Sequence, residues 1–570
     1  MRNKKTLLLI GIIFLGALIL RIYRLNLNVP PLFGDEVGGN YNALIKLVSP
    51  APFFLRLPRF LFAIFSTYVW FLGFTPLAVR LPAAIYGTLL VICLYFFAQS
   101  ITVTAGKENK RVAILTAILV AVLPWSFLIS RLAHPGALIF LNLISLHWII
   151  YLKAQKPKEY FFSLLPLLLA TYFYPSLIIL TPLVFVLVFR KVYFLINKRK
   201  IKKYFIAFSG FLLWGVIFLT LAFFRFKERG FELAIWKDVN VTADTDHWRS
   251  LARTSSPTVF TLFANPEKIS PFFFNYPISV VNIFFRNYWS FFSPDFLFLK
   301  GDPVFRHSTQ MVGVFYPFMA PFLLYGAFLL FSSKKEKLKE FFAFWLLASP
   351  LSAAITRDGQ GYLYRVLTML PVLTYLSAFG LGSIYQILKG KARLIFLLGI
   401  FAVATYSILY FLYGYFQVYP SSSAQSYELG FKEVSDFQVS HSSEPMLVVW
   451  DGYYPHYYFR FWQATPPNEY SLFLPKDIYI NQSVFHQRYP NLYFSLPQKE
   501  AEMREFVEKN GVAYFAFPTI LKERFSGYTF LTLTPLETVN YPDGTSAFQI
   551  YRAEDWLQRS RLFENTSGVK

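Results

Sequence analysis

Residues 6–23 read TLLLIGIIFLGALILRIY, a stretch whose single charge is Arg21. A helix of about 17 to 25 apolar residues crosses the ~30 Å hydrocarbon core of a bilayer. Basic residues Arg2, Lys4 and Lys5 precede the stretch, and no small-residue cleavage site follows it. The stretch therefore predicts a retained membrane anchor rather than a cleaved signal peptide.

The composition of the whole chain also indicates a membrane protein. Of its 570 residues, 55% are hydrophobic and only 15% are charged, which excludes an ordinary soluble globular protein. The 55 Lys and Arg outnumber the 32 Asp and Glu, giving a net charge of +23, but so apolar a chain does not fit a nucleic-acid-binding protein. The one cysteine, Cys93, excludes a disulfide framework.

Working outward from the first stretch, the sequence predicts an α-helical polytopic protein with about eleven transmembrane helices. They lie near 6–23, 80–101, 112–129, 135–152, 160–174, 175–190, 204–223, 312–332, 340–356, 366–387 and 394–414. With these spans, the basic clusters of the connecting segments all fall on one side of the membrane, and that side is the cytoplasm. We therefore expect a multi-pass protein of the cytoplasmic membrane with its N-terminus inside and its C-terminus outside.

Two domains are predicted. Residues 1–415 form the transmembrane core, which includes outer interfacial helices within 37–75 and a long outer loop at 224–311. Residues 416–570 form a small extracytoplasmic α/β domain. In it we predict strands at Met446–Trp450 and Val512–Phe517, a helix at Gln498–Asn510, and a hairpin of Phe530–Val539 with Ala547–Tyr551.

The first candidate site follows the first span, where residues 30–36 read PPLFGDE. The adjacent carboxylates of Asp35 and Glu36 repel each other and are costly to desolvate at a membrane surface. They indicate either a functional site or an exposed turn in which Asp35 caps the following helix.

Gly34-Asp35-Glu36, followed by Tyr41 and by TPLAVRLPAAIYG at 75–87, resembles the polyprenyl-phosphate-sugar-dependent glycosyltransferases of the GT-C class. Within that class, residues 1–415 resemble the protein O-mannosyltransferase and aminoarabinose transferase group, glycosyltransferase family 39 and its bacterial relatives. The resemblance implies a GT-C fold and a mannosyltransferase-like enzyme. Such an enzyme moves a sugar from a polyprenyl-phosphate donor to a hydroxyl of a protein, lipid or glycan at the outer face, with inversion.

The resemblance also implies roles for residues. A direct displacement needs a carboxylate that accepts the hydroxyl proton, which would be Asp35, with Glu36 as the orienting carboxylate. Cations stabilise the leaving phosphate, and the candidates at the outer ends of spans are Arg80, Arg131, Arg357 and Arg365. The alternative for each arginine is an interfacial anchor. After Arg131 this chain has Leu-Ala-His-Pro where many relatives carry an acidic residue.

The outer loop supplies a third group of candidates, in which Asp302, Arg306 and His307 follow an aromatic stretch at 288–292. Aromatic faces beside polar and charged groups suit an acceptor or sugar pocket, and they equally suit an interfacial aromatic belt.

Other functions stay open at this point. A lipid or oligosaccharide transporter, or flippase, would place ionisable groups near the middle of the bilayer, and an inert membrane part could carry a binding domain. An oligosaccharyltransferase-like enzyme is suggested by Trp450-Asp451-Gly452-Tyr453, and a metal site by Asp244-Thr245-Asp246, but both motifs are short. A cationic pocket can stabilise a phosphate unaided, so no cofactor is required, although a divalent metal is compatible with the chemistry.

Overall fold

The computed structural model of the chain describes residues 2–26, 32–38, 71–105, 109–174, 176–196, 209–220, 234–254, 266–451, 455–465 and 476–567. Most of the interfacial segment predicted within 37–75 lies outside these residues, as do parts of the loop predicted at 224–311.

Contacts within the chain divide it into two compact units. The first unit comprises Met1–Tyr23 and Ala83–Phe411, and the second comprises Arg24–Pro82 and Leu412–Lys570. The end of the first unit lies close to the domain boundary predicted at residue 415. Residues 24–82 instead group with the C-terminal domain, so the second unit is built from two distant parts of the chain.

The first unit is helical. Its longer helices are Arg2–Ile22, the part of Pro76–Thr104 from Ala83 onward, Lys110–Val122, Pro135–Lys153, Pro157–Phe173, Leu177–Leu195, 209–220, Val239–Thr254, Tyr276–Ser290, Ala320–Phe331, Glu336–Ala348, Met369–Ile387 and Gly390–Tyr413. Shorter helical segments are Pro124–Ile129, Ile235–Lys237, Pro266–Phe273, Asp295–Leu299, Pro317–Met319, Leu351–Ala354 and Leu363–Val366. Several of these elements begin with proline, whose fixed φ and missing N–H suit the first turn of a helix.

Six helices in the described part of the chain are long and apolar enough to cross a membrane. They are Lys4–Ile22, Pro76–Thr104, Pro135–Lys153, Leu177–Leu195, Met369–Ile387 and Gly390–Ser422. The prediction of a helical membrane protein is confirmed, and each of these six coincides with a predicted span. Four of the other five predicted spans correspond to shorter helices, and of the span predicted at 204–223 the structure describes helix 209–220. The span predicted at 112–129 is broken where Leu123 takes an extended conformation before Pro124.

Two glycines allow the closest approach of helices in the first unit. A Cβ added at Gly326 would lie 2.0 Å from the carbonyl oxygen of Leu376, and one at Gly380 would lie 2.0 Å from that of Phe322. Helices 320–331 and 369–387 therefore pack with their backbones in contact. Small residues at such a crossing are typical of helix pairs in membranes, where dispersion contacts replace the hydrophobic effect.

The second unit contains a seven-stranded mixed sheet. Its strands are β1 Met446–Val449, β2 Lys476–Ile480, β3 Ser483–Tyr489, β4 Leu492–Ser495, β5 Tyr514–Pro518, β6 Glu537–Asn540 and β7 Ser546–Arg552, in the order β2-β3-β4-β1-β5-β7-β6. β1 pairs in parallel with β4 and β5, and the remaining pairs are antiparallel. The small α/β domain predicted for the C-terminal residues is therefore confirmed.

Helices and aromatic side chains complete this domain. The helices are Tyr419–Ser422, Phe431–Ser440, Pro455–Trp462, Glu500–Lys509 and Ala553–Ser567, with 3₁₀ turns at Gln425–Tyr427, Thr519–Leu521 and Thr529–Thr532 and a π turn at Gly414–Val418. Phe506 stacks on Phe485 with ring centroids 3.9 Å apart, and Trp556 is fully buried in the same core. The predicted strands near 446 and 512, the helix near 498 and the pairing of β6 with β7 are present. The first part of the predicted hairpin, from Phe530, is a 3₁₀ turn instead.

We expect Gly380→Leu to destabilise the protein, because the new side chain meets the backbone of Phe322 and overpacking of a core costs about 1 to 3 kcal/mol. Gly399→Leu is the matched control, since a Cβ at Gly399 has no heavy atom within 4 Å. Thermal unfolding in detergent measures both variants. Equal midpoints for the two variants would contradict the close helix packing.

Candidate functional site

Asp35 and Glu36 lie in a short helical segment at 34–38, and their side chains have opposite environments. Asp35 is exposed, whereas Glu36 is completely buried. Successive residues of a helix point about 100° apart, so one carboxylate can face solvent while its neighbour faces the interior. Oε2 of Glu36 also accepts a hydrogen bond from the backbone N–H of Phe33 at 3.3 Å, which fixes the start of the segment.

The partner of Glu36 is Arg80, in the second turn of helix Pro76–Thr104. Arg80 donates from Nε to Oε1 at 3.0 Å and from Nη2 to Oε2 at 2.8 Å, and neither side chain is exposed. This two-point geometry is the strong form of an arginine–carboxylate pair. Arg80 neutralises Glu36 and so relieves the repulsion between the adjacent carboxylates, which leaves Asp35 as the accessible one.

Arg131, a predicted donor-phosphate ligand, is instead engaged by the end of the first helix. Its Nη1 donates to the carbonyl oxygens of Arg21 and Tyr23, both at 2.8 Å, and its guanidinium lies 5.2 Å from the ring centroid of Phe127. The last carbonyls of a helix lack intrahelical partners, and a buried arginine satisfies them. This geometry supports a structural role, and phosphate binding by Arg131 stays a prediction.

Arg21 is a second buried arginine, one to which the sequence assigned no role. It donates to Oγ of Ser126 at 2.8 Å and Oγ of Ser130 at 3.1 Å, and to the carbonyls of Val120 and Ala121 at 3.1 Å each. The sequence could have indicated its importance, because Arg21 is the one charged residue in the stretch 6–23. It holds the first helix against the break at Leu123–Pro124.

Asp302 and His307, predicted from the outer loop, are brought together. Oδ2 of Asp302 lies 2.9 Å from Nδ1 of His307 and accepts a hydrogen bond from the N–H of Leu363 at 2.7 Å. Oδ1 accepts from the N–H of Val304 at 2.8 Å, and both side chains of the pair are buried. Asp302 therefore orients His307 and holds the loop against the turn that precedes helix Met369–Ile387.

Arg365 lies in that turn and extends the cluster through aromatic rings. Its guanidinium lies 4.7 Å from the ring centroid of Tyr362 and donates to Oγ1 of Thr356 at 2.5 Å. The rings of Tyr362 and Tyr364 in turn lie 5.1 Å and 4.8 Å from that of His307, both edge-on. The half-buried guanidinium of Arg365, the oriented imidazole of His307 and the two phenol rings therefore lie close together in the first unit.

The remaining two predicted arginines, Arg357 and Arg306, are close in sequence to Arg365 and His307, respectively. Arg357 is 45% exposed and faces carboxylates of Asp358 and Asp238 at 3.5 Å and 3.9 Å. Such pairs are typical of a surface anchor. Arg306 is half-buried next to His307 in the chain. For both residues ligand binding stays a prediction.

No group of three or more His, Cys, Asp or Glu suited to a metal occurs among the residues that the structure describes. Asp244 and Asp246 lie on the exposed face of helix Val239–Thr254, and part of the Trp450-Asp451-Gly452-Tyr453 motif lies outside the described residues.

Comparison with known proteins found similarity at the level of structure. No protein-family model matches the chain, and no curated protein sequence matches it. The chain is similar to the Archaeoglobus fulgidus oligosaccharyltransferase in complex with Zn and sulfate, with a TM-score of 0.44 and 12% identity over 95% of this chain and 73% of that one.

It is also similar to ArnT from Cupriavidus metallidurans, over 97% of this chain and 98% of that one. The TM-score is 0.45 with 12% identity for ArnT bound to undecaprenyl phosphate, and 0.42 with 10% identity for the apo state.

We expect Arg80→Met to lower the free energy of unfolding by about 3 to 5 kcal/mol, because it leaves the Glu36 carboxylate buried without its counter-charge. Adding Glu36→Leu should restore most of that stability, since an apolar pair avoids the desolvation of both charges. Thermal unfolding of the single and double variants measures the effect.

Lys432→Met is the control, because it removes an exposed ion pair with Asp436 of the same unit, 2.8 Å long. Its loss should cost less than about 1 kcal/mol. An Arg80→Met variant as stable as Lys432→Met would show that the buried pair does not hold the segment.

Proposed function

We propose that the protein is an integral membrane glycosyltransferase that transfers a sugar from a polyprenyl-phosphate donor to an acceptor hydroxyl, with inversion. The observation that carries the proposal is the division of the Asp35–Glu36 pair. One carboxylate is fixed in a buried pair with Arg80, and the adjacent one is exposed. The sequence resemblance to GT-C enzymes rests on these same residues, and the geometry leaves Asp35 accessible to a substrate.

In this mechanism Asp35 is the general base. The acceptor hydroxyl oxygen attacks the anomeric carbon from the face opposite the phosphate, a bond from that oxygen to the carbon forms, and the bond from the carbon to the phosphate oxygen breaks. The proton of the hydroxyl passes to Asp35, and the electron pair of the broken bond leaves on the polyprenyl phosphate. A carboxylate positioned for such a transfer contributes about 10²- to 10⁴-fold to the rate.

We assign stabilisation of the leaving phosphate to Arg365, with His307 as a second group that can contact it. A guanidinium stabilises the charge that develops on a phosphate oxygen, and Arg365 is held in place by Tyr362 and Thr356. Because Nδ1 of His307 faces Asp302, Nε2 is the ring nitrogen left for a substrate. These groups stabilise a phosphate without a divalent metal, so the proposal requires none.

The proposed substrates are a class of sugar donors and a class of acceptors. The resemblance supports a hexose or pentose donor with mannosyl as the first choice, and an acceptor that is a protein, lipid or glycan hydroxyl. The predicted orientation places the reaction at the outer face of the cytoplasmic membrane. Charge alternation between the predicted spans supports that orientation.

We expect Asp35→Asn to fold normally and to lower the transfer rate about 10²- to 10⁴-fold, because an amide does not accept the proton. The assay measures transfer of radiolabel from undecaprenyl-phosphate sugars (mannose, glucose, aminoarabinose and galacturonic acid) to a mixture of protein, lipid and glycan acceptors, by protein in proteoliposomes. Asp555→Asn, which changes an exposed carboxylate of the C-terminal domain, is the control. Transfer by Asp35→Asn at the native rate would exclude Asp35 as the base.

We expect Arg365→Ala to weaken binding of undecaprenyl phosphate about tenfold or more, because a charge-assisted hydrogen bond contributes about 1.5 to 3 kcal/mol. Binding is measured by titrating the lipid into the purified protein. Arg286→Ala, at an exposed arginine of helix Tyr276–Ser290, should bind like the native protein. Unchanged affinity in Arg365→Ala would make that residue an interfacial anchor.

A further inference from the structure

Three tyrosines from the start of the C-terminal domain interact electrostatically with the Glu36–Arg80 pair in the second unit. They are Tyr415, Tyr419 and Tyr427, and each is at most 1% exposed. Tyr427 interacts electrostatically with both Glu36 and Arg80, and the other two tyrosines interact with Arg80. These interactions link parts of the chain that are hundreds of residues apart in sequence.

The tyrosines also contact one another. The hydroxyl oxygens of Tyr419 and Tyr427 are 3.1 Å apart, and the ring of Tyr415 stacks on that of Tyr419 with centroids 5.3 Å apart. The ring of Tyr427 meets Phe33 edge-on at 5.9 Å, one turn before Glu36. Tyr427 is therefore held between its neighbours in the C-terminal domain and the segment that carries Asp35.

Phenol groups are physically suited to the neighbourhood of the buried Glu36–Arg80 pair. A buried ion pair loses its water, and the dipoles of nearby polar groups offset part of that loss. Burial raises the pKa of Tyr427, and the neighbouring Glu36 carboxylate raises it further. The hydroxyl is thus neutral at physiological pH and supplies a dipole rather than a second negative charge.

Two further contacts attach the same segments to the C-terminal domain. A Cβ added at Gly38 would lie 3.2 Å from the ring of Tyr457, so the segment 34–38 touches helix Pro455–Trp462. Phe74, just before helix Pro76–Thr104, meets Phe461 of that helix edge-on at 5.5 Å. The domain therefore contacts the chain on both sides of the ion pair.

We propose that Tyr427, with Tyr419 as its partner, is a positioning residue through which the C-terminal domain sets the place of the Asp35 carboxylate. The path is short. Tyr427 contacts Phe33 and interacts electrostatically with Glu36 and Arg80, and Asp35 directly precedes Glu36 in the same short helical segment. This inference rests on the proposed function, in which Asp35 is the base, and it gives the C-terminal domain a part in catalysis apart from any binding of acceptor.

The kinetic test compares Tyr427→Phe and Tyr419→Phe, which remove one hydroxyl each and keep the ring, with the native protein. We expect kcat for sugar transfer to fall about tenfold, because a displacement of the base by a fraction of an ångström weakens proton transfer, while the KM for donor stays within about twofold. Tyr551→Phe is the control, since its hydroxyl donates to Gln549 at 2.8 Å in β7 of the same domain. It should transfer at the native rate.

A double-mutant cycle separates positioning from general destabilisation. If Tyr427 acts through Glu36, Tyr427→Phe should lower kcat by less than about twofold in a Glu36→Gln background. A full tenfold loss in that background, or native kcat in both tyrosine variants, would overturn the proposal. If Tyr427→Phe does not fold, Tyr419→Phe replaces it in the double-mutant cycle with Glu36→Gln.

A labelling experiment tests the inference without any sugar transfer. Asp35→Cys is introduced into a Cys93→Ser chain, which removes the natural cysteine, and the reaction with a membrane-impermeant maleimide is timed. We expect Tyr427→Phe to change the labelling rate severalfold and Tyr551→Phe to leave it unchanged. Equal rates in all three backgrounds would overturn the inference. A shifted labelling rate, together with a native protein that transfers no sugar, would support the positioning of residue 35 and reject the proposed enzyme function.

Discussion

The buried pair between Glu36 and Arg80 is the constraint on which the rest of the second unit depends. Two opposite charges without solvent exposure are stable only if their geometry and their surroundings are satisfied together. That requirement fixes the segment 34–38 against helix Pro76–Thr104, across 44 residues of sequence. Three phenol groups of the C-terminal domain interact electrostatically with the same pair.

Much of the architecture could be predicted from the sequence because it depends on local composition. Long apolar runs, and prolines at the first turns of helices, determine the helices of the first unit. In the C-terminal domain, β1 and β5 are short apolar runs that are buried and central in the sheet. The edge strand β2 was not predicted, since its residues Lys476–Ile480 are mostly exposed and lack a hydrophobic pattern. Phe530 looked like the start of a strand, but Pro535 follows it, and proline has no N–H for a ladder.

The candidate site could be predicted only in part, for a related reason. The types and spacing of Asp35, Glu36, Asp302 and His307 were visible in the sequence, and the last two lie close enough along the chain to meet. The different environments of Asp35 and Glu36 were not visible, because they follow from contacts with Arg80 and with the C-terminal domain. The hydrogen bonds of Arg131 were not visible either, since they go to the carbonyl end of a helix more than a hundred residues earlier. Long-range partners decide such roles, and one sequence does not show them.

The discontinuity of the second unit has a consequence for biosynthesis. Residues 24–82 are synthesised before the membrane helices of 83–411, whereas their packing partners in 412–570 are synthesised after those helices. Until residues 412–570 are made, the Glu36–Arg80 pair therefore lacks the tyrosines that interact with it in the folded protein. A nascent or prematurely terminated chain contains the residues of the site without the groups that order them. The order of synthesis thereby delays assembly of the site until the membrane helices have all been made.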